Sequence, residues 1–460
     1  MLENRTFAEI APGDSATLER TLSLRDIELF AVLSGDANPS QRLTNEAPKI
    51  VAHNMWGGIL VSTLLGTKLP GPGTVPLRQD LDFLSPVRLG DRVTVRVTAR
   101  EKKIATGTVL FDCITINQDG QTVMTGLAEV KAPTEKIREC CAELPDVHVH
   151  EHIRHRQLID RCRGLRPVIT AVVHPVDSVS LAGAIEAAKM GLITPILVGP
   201  ETKIRAAAAA ANLDIAPYKL VATPHSHAAA AQAVALARDG KVEAIMKGSL
   251  HTDELMHEVM LPDTGLRTER RISNVYLFDV PVYPRPLFIT DAAINIRPSL
   301  ADKRDICQNV IDLAHILGIP VPKIAILSAV ETVSEKLPST LDAAALCKMA
   351  DRGQISGGLL DGPLAFDNAV SLEAARTKHI VSPVAGQADI LLVPDLESGN
   401  MLAKQLTFFD GADAAAIVLG ARLPIILTSR ADSARTRIAS CAIAALVADA
   451  QRHPLAAADS

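Results

Sequence analysis

The sequence predicts a multidomain protein: an α+β domain, followed by a larger α/β domain of two subdomains with a cleft between them. Three observations predict it. The chain has 460 residues, more than one ordinary hydrophobic core serves. Up to residue 131 it reads as one apolar helix followed by alternating, β-branched runs with no helix between them. Beyond residue 167, short apolar runs alternate with Ala-rich helical stretches, the pattern of a parallel sheet covered on both faces.

Composition narrows the function classes. The net charge is −5, so the chain lacks the basic footprint of a nucleic-acid-binding protein. The opening MLENRTFAEI holds no apolar core of signal-peptide length. No uninterrupted apolar run reaches the roughly 18 residues a membrane helix needs; the longest candidate, 414–427, is broken by Gly420, Arg422 and Pro424. The cysteines at 113, 140, 141, 162, 307, 347 and 441 form no C-x-x-C pair, which reads as reduced thiols in a cytoplasm. Neither a membrane nor nucleic acid is expected as a partner.

The first domain spans 1–135. Residues 52–65 are apolar on nearly all sides, as a helix buried all round should be. The LPGPG at 69–73 ends that helix. Alternating runs at 77–84, 91–99 and 106–116 follow, then an Asn-Gln-Asp-Gly turn at 117–120 into a fourth run at 122–131. A sheet wrapped around a helix is the expected result. Residues 136–166 read as a linker, with Pro145, mixed charge and histidines at 148, 150, 152 and 155. Their spacing fits no standard closed metal site, and no metal is expected.

The second domain spans 167–460. Strands are expected at 168–173, 195–198, 219–222, 242–246, 286–290, 323–328, 390–393, 416–419 and 425–427, with helices such as 180–190, 206–212 and 228–239 between them. Polar residues just past the carboxyl ends of such strands line the ligand crevice of an open α/β sheet. Three stretches carry them: MKGSLHTDELM from 246, GLRTERRIS from 265 and LFITDAAIN from 287. Lys247, Gly248 and Ser249 offer a cation, a flexible backbone and a hydroxyl; a helix beginning near Ser249 would add free N–H groups suited to phosphate. Arg267, Arg270 and Arg271 are a local excess of cations in an acidic protein. Together they point to a pocket for a phosphorylated small molecule. Neither G-x-x-x-x-G-K-[ST] nor G-x-G-x-x-G is present. After the last strand, Ser429, Arg430 and Asp432 place a hydroxyl, a forked cation suited to phosphate and a carboxylate within one turn. Ser429 or Asp432 would equally serve as a helix N-cap.

Two resemblances follow from these residues. The segment Ser34-Gly35-Asp36-Ala37-Asn38-Pro39, the Ala52-His53 pair and the turn at 69–74 resemble the MaoC-type, hot-dog enoyl-CoA hydratases. In that family the motif is Asp-x-Asn-Pro-x-His, and its Asp and His activate the water that is added. Here Asp36, Asn38 and Pro39 are kept and Gln41 replaces the His. An amide takes up no proton near neutral pH. The expectation is an impaired hydratase domain, serving acyl-CoA binding, dimerisation or scaffolding. The alternative keeps hydration, with Asp36 and another partner. His53 is either a second proton carrier or an ordinary histidine at a helix start.

Across 167–445 the chain resembles the phosphate acetyl/butyryltransferases, whose fold is related to that of isocitrate dehydrogenase. The matching segments are 246–256, 287–296, 325–331, 361–369, 382–386, 394–404 and 427–433. The LTSRADSA block is closer to the butyryl branch. The resemblance implies reversible acyl transfer between CoA and inorganic phosphate, without a covalent enzyme intermediate and without a bound cofactor. CoA, acyl-CoA, phosphate and acyl phosphate are then substrates. Arg430 would hold phosphate and Ser429 would stabilise transition-state charge. The acetyltransferase Asp lies seven residues past the Ser; Thr436 stands there, so Asp432 becomes the candidate base. Lys247, Ser249, Arg267, Thr290, Asp291 and Asn295 are expected to line the cleft. Asp361, Asp367, Asn400 and Lys404 join them from the resemblance. Both families commonly pair, which implies a homodimer or higher homo-oligomer. An oxidoreductase of the related fold and a non-catalytic acyl-CoA-binding module are the competing readings.

Overall fold

The computed structural model describes residues 1–36, 50–140, 147, 153–429 and 432–453. Its contacts divide the chain into two units, Met1–Val149 and His150–Ser460.

In the first unit, five strands form an antiparallel sheet: β1 (Ser15–Thr21), β2 (Val75–Phe83), β3 (Arg92–Lys103), β4 (Thr108–Asn117) and β5 (Thr122–Lys131), in the order β1-β3-β4-β5-β2. Helix α1 (Leu24–Ser34) starts on a Ser23/Asp26 capping box and stops at left-handed Gly35. Helix α2 (Met55–Thr67) packs Trp56, Leu60, Val61, Leu64 and Leu65 against Val93, Val95, Val97, Val109 and Phe111 of the sheet. This is the sheet wrapped around a helix that the hot-dog resemblance implies. Two expectations change. The helix begins at Met55 instead of 52, because the Ala52 amide is engaged by Val87 O at 2.8 Å and Val51 bridges Arg88. It is also not buried all round: Met55 and Ile59 are exposed.

In the second unit, eleven strands form one sheet. They are β6 (Val168–Val173), β7 (Ile193–Gly199), β8 (Lys219–Ala222), β9 (Ala244–Lys247), β10 (Ser273–Asp279), β11 (Leu287–Thr290), β12 (Lys323–Leu327), β13 (Leu359–Leu364), β14 (Ile390–Leu392), β15 (Asp413–Leu419) and β16 (Ile425–Ile426). The order is β8-β7-β6-β9-β16-β15-β10-β11-β14-β12-β13. Two parallel wings, β8 to β16 and β11 to β13, flank a centre where β16-β15, β15-β10 and β10-β11 all pair antiparallel. The expectation of a parallel sheet therefore fails at the centre. Only residues 280–286 join β10 to β11 and only 420–424 join β15 to β16. A parallel connection needs a dozen residues or more.

Alternate strand residues bury into different cores. One face carries a single continuous core, from Val168 and Leu197 through Ile417 and Phe288 to Ile324, capped by the C-terminal helix α7 (Ala434–Arg452). The other face carries two separate cores. One holds Val173, Ile245, Leu250, Val418 and Leu427; the other holds Phe278, Ile289, Leu391, Ala403 and Ala414. The cleft lies between these two cores. The helices that matter to it are α3 (Ser178–Lys189), α4 (Thr252–Met260), α5 (Leu300–Ile316) and α6 (Leu396–Phe408); residues Pro338–Asp351 and others complete the cover. Among the described residues, no helix is long and apolar enough to cross a membrane.

Candidate functional site

The cleft is a cavity of about 410 Å³ lined by Lys247, Leu250, His251, Thr252, Tyr276, Ala293, Leu396, Asn400, Lys404, Leu427, Thr428 and Ser429. Each wall grows from the end of a strand. Lys247 is the last residue of β9, and the segment 427–429 follows β16. Ala293 follows β11, and Asn400 and Lys404 sit on the helix that follows β14. Gly399 lets that helix approach: a Cβ there would lie 2.7 Å from Val393 and 2.9 Å from the Asp291 carbonyl.

Lys247 is buried, and its ammonium reaches the Thr428 carbonyl at 3.4 Å. The Ser429 amide donates to Asp432 Oδ2 at 2.6 Å. Burial pushes the Asp432 carboxyl up from its ordinary range; the Ser429 N–H and the Arg437 and Lys247 cations act in the opposite direction. A hydroxyl-bearing residue, a buried lysine and an incompletely solvated carboxylate thus converge at one end of the cleft. A carboxyl pushed upward beside a hydroxyl and a buried lysine is the kind of perturbed group that marks candidate sites.

Arg437, on α7, was not anticipated. It is buried, and its guanidinium donates to Thr428 Oγ1 at 2.9 Å and to the Ser429 carbonyl at 2.8 Å. Gly183 of α3 makes room for it: a Cβ there would lie 2.8 Å from Arg437 Cδ. Tyr276 and His251 were also missed. Tyr276 belongs to β10, a strand the sequence reading passed over, and His251 is the N-cap of α4.

The predicted residues divide into groups. Lys247, Asn400, Lys404 and Ser429 line the cleft, with Asp432 bonded to Ser429. Arg430 lies outside the described residues. Ser249 is turned away: its backbone pairs with His174 (2.9 Å) and its hydroxyl engages Asp177. The helix expected near Ser249 starts instead at Thr252, where the His251 amide donates to Glu254 at 3.3 Å. Thr290 is fully buried and donates to the Asn274 carbonyl at 2.7 Å. Asp291 is buried too, and accepts from the amides of Ala293, Ile294 and Asn295 and from the Asn295 side chain. Asn295 in turn receives Arg271 Nε at 2.6 Å. These three residues hold the 291–295 loop and do not line the cavity.

Arg267 lines a different cavity, of about 310 Å³, with Arg270, Arg271, Glu269, Asp302 and Asp305. The cation excess seen in the sequence is largely cancelled there, since Arg270 pairs with Asp312 and Arg271 with Asp302. Asp361 accepts from the Gly362 amide, and Asp367 pairs with Lys378 at 3.2 Å; neither lines the Lys247 cleft.

In the first unit, Asp36 Oδ2 lies 3.9 Å from His53 Nε2. The His53 ring stacks on Phe30 at 4.8 Å, and its Nδ1 accepts from the Met55 amide at 3.2 Å. That acceptor role puts the proton of neutral His53 on Nε2, facing Asp36. The adjoining cavity, of about 20 Å³, is lined by Trp56, Phe83, Val87, Val123 and Met124 among others; that is room for about one water. Asn38 and Gln41 lie outside the described residues.

The chain is similar to known proteins. Residues 221–445 match the family model described as phosphate acetyl/butaryl transferase. A phosphate acetyltransferase of Rhizobium meliloti is 65% identical over 299 residues, covering 65% of this chain and 95% of the relative. A phosphate butyryltransferase of Clostridium acetobutylicum is 42% identical, covering 63% of this chain and 95% of the relative. A branched-chain phosphotransacylase from Enterococcus faecalis, solved as a crystal structure, is similar at 30% identity and a TM-score of 0.54, covering 60% of this chain and 99% of that one. The chain belongs to the phosphate acetyl/butaryl transferase family and is a phosphate acyltransferase, moving an acyl group between coenzyme A and inorganic phosphate.

Proposed function

We propose that the transfer takes place in the Lys247 cleft by direct attack of the CoA thiolate, within a ternary complex and with no resident cofactor. In the direction that consumes acyl phosphate, Asp432 takes the thiol proton. The thiolate sulfur forms a bond to the acyl carbon, the carbon–oxygen bond to phosphate breaks, and phosphate leaves with the bond electrons. Free thiols titrate near pH 8.5, so a base within reach is needed at neutral pH. Lys247 and Arg430 are assigned to the phosphate, Ser429 to the charge that develops on the carbonyl oxygen, and Asn400 and Lys404 to the opposite wall. The observation that carries this reading is the convergence of Lys247, Ser429 and Asp432 on one end of the cleft.

We assign no hydration to the first unit. Gln41 supplies no base, since an amide takes up no proton near neutral pH. We further propose that the protein is cytoplasmic and a homo-oligomer. Among the described residues the outer strand β2, with Val75 and Leu77 exposed, has an unpaired edge of the kind that partners cover. Acyl-CoA and acyl phosphate substrates of two to six carbons test the chemistry. CoA-dependent exchange is expected with the shorter chains, and replacing Ser429 and Arg430 together by alanine should abolish it. Full exchange in that double variant would refute the assignment.

A further inference from the structure

We propose that Tyr276 sets the length of acyl chain the cleft accepts. This rests on the cleft being the place of acyl transfer. Tyr276 lies in β10, at the centre of the sheet, on the face that carries two separate cores. It stands directly opposite Ala416 of β15 and Ile289 of β11. Val418 belongs to one core and Ala414 and Phe278 to the other, so Tyr276 and Ala416 form the floor between them. On that floor the tyrosine is the large side chain and the alanine the small one.

The ring is held on one side by Phe278, with centroids 5.7 Å apart and planes 17° from parallel. The rest of it borders the cavity beside the apolar groups of Leu250, Ala293, Leu396 and Leu427. An acyl chain is the only apolar part of either substrate near the reacting carbon, and these are the apolar walls of the same cavity that Lys247 and Ser429 enter. Burial and the carboxylates of Asp432 and Asp291 push the phenol up to about 12. It therefore stays a neutral donor, and among the described residues its hydroxyl has no partner. Shortening residue 276 to alanine would put two alanines side by side and extend the cavity towards the floor. Phenylalanine would keep the wall and remove only the hydroxyl.

The test uses the full-length protein and a series of acyl-CoA substrates from two to six carbons, with kcat/KM read by phosphate-dependent CoA release. One methylene in an apolar pocket is worth about 10–200-fold. Tyr276→Ala should raise the ratio of the six-carbon to the two-carbon substrate by roughly tenfold or more. Tyr276→Phe should leave that ratio as in the unaltered protein. Tyr276→Leu, a smaller change in volume, should move the ratio in the same direction as alanine and stands in for it if alanine does not fold. Unchanged ratios in a folded Ala or Leu variant would overturn the proposal. Full exchange in the Ser429→Ala, Arg430→Ala double variant would instead overturn the assignment of the cleft.

Discussion

At the residue scale, the site depends on how a short loop after β16 is held. Asp432 fixes the Ser429 amide, and Arg437 fixes the Thr428 side chain and the Ser429 carbonyl. Among the described residues, the charged and titratable groups that act on Asp432 are Lys247, Tyr276 and Arg437, from three different elements. Because burial raises the Asp432 carboxyl, the acid limb of kcat/KM should lie above the ordinary carboxylate range, with activity lost as pH falls through it. Removing the cation with Arg437→Met leaves the carboxylate less supported, so that limb should move to higher pH; Arg437→Lys should restore it in part. A pH–rate profile of the three proteins checks this, and coincident acid limbs would exclude Asp432 as the base. Ser429→Ala should lower kcat by about 10²–10³-fold with little change in melting temperature. Of these residues, Ser429, Asp432 and Lys247 were legible in the sequence because each closes or follows an apolar strand. Arg437 was not: it sits in the first turn of α7 with no strand-end position to mark it, and only folding aims it back at the loop.

At the element scale, two close approaches shape the cleft. Gly183 lets α3 pack onto Arg437, and Gly399 lets α6 pack onto the Asp291 loop. A methyl at 183 must displace a guanidinium whose hydrogen bonds hold residues 428 and 429. Gly183→Ala should therefore cost about tenfold or more in kcat, since misplacing a catalytic loop by an ångström can cost about 10²-fold. Its circular dichroism should stay native. At the other end of α7, Arg452 grips Glu243 with two hydrogen bonds of 2.7 Å, and that grip holds the Glu243 carboxyl below its ordinary range. A depressed carboxyl stabilises the fold above its unfolded pKa, and this contribution is lost as pH falls through the folded value. Arg452→Met should cost about 1.5–3 kcal/mol at pH 7. The gap should narrow at acid pH, where Glu243 is protonated in both proteins and only the Arg452 bonds to the Arg166 and Pro167 carbonyls remain; melting curves at the two pH values measure it. The strands missed by sequence reading, β10 and β13, share a cause. Ser273 and Asn274 make β10 start polar, and Gly362-Pro363 interrupts β13, so neither shows a clean apolar run. In the fold, Asn309 satisfies the Ser273 hydroxyl at 2.9 Å, which lets a polar strand lie at the centre of the sheet.

At the scale of the whole molecule, one chain carries a transferase unit and a unit whose sheet wraps around a helix, with Gln41 where the hydratase resemblance would place a histidine. Gln41→His should be the change that raises crotonyl-CoA hydration from an undetectable level, read as the loss of enoyl absorbance. Ready hydration by the unaltered protein would show that Asp36 and His53 suffice without it. The change should leave acyl exchange untouched.

The sequence by itself determined the two-part organisation, most of the strands, the transferase family and the strand-end residues that meet in the cleft. These are local properties: apolar period, chain length between runs, and polar groups at strand ends. Only the tertiary structure decided that the sheet turns antiparallel at its centre, that Arg267 faces another cavity, and that Asp291 and Asn295 support the loop from beneath. It also decided that Tyr276 lines the cleft and that Arg437 holds Thr428 and Ser429. Each of these depends on which residues, distant along the chain, supply the partner for a buried polar group or the neighbour across a strand pair. No local pattern encodes that choice, because one Asp or Arg can serve a ligand, a backbone amide or an ion pair, and the packing around it selects among them.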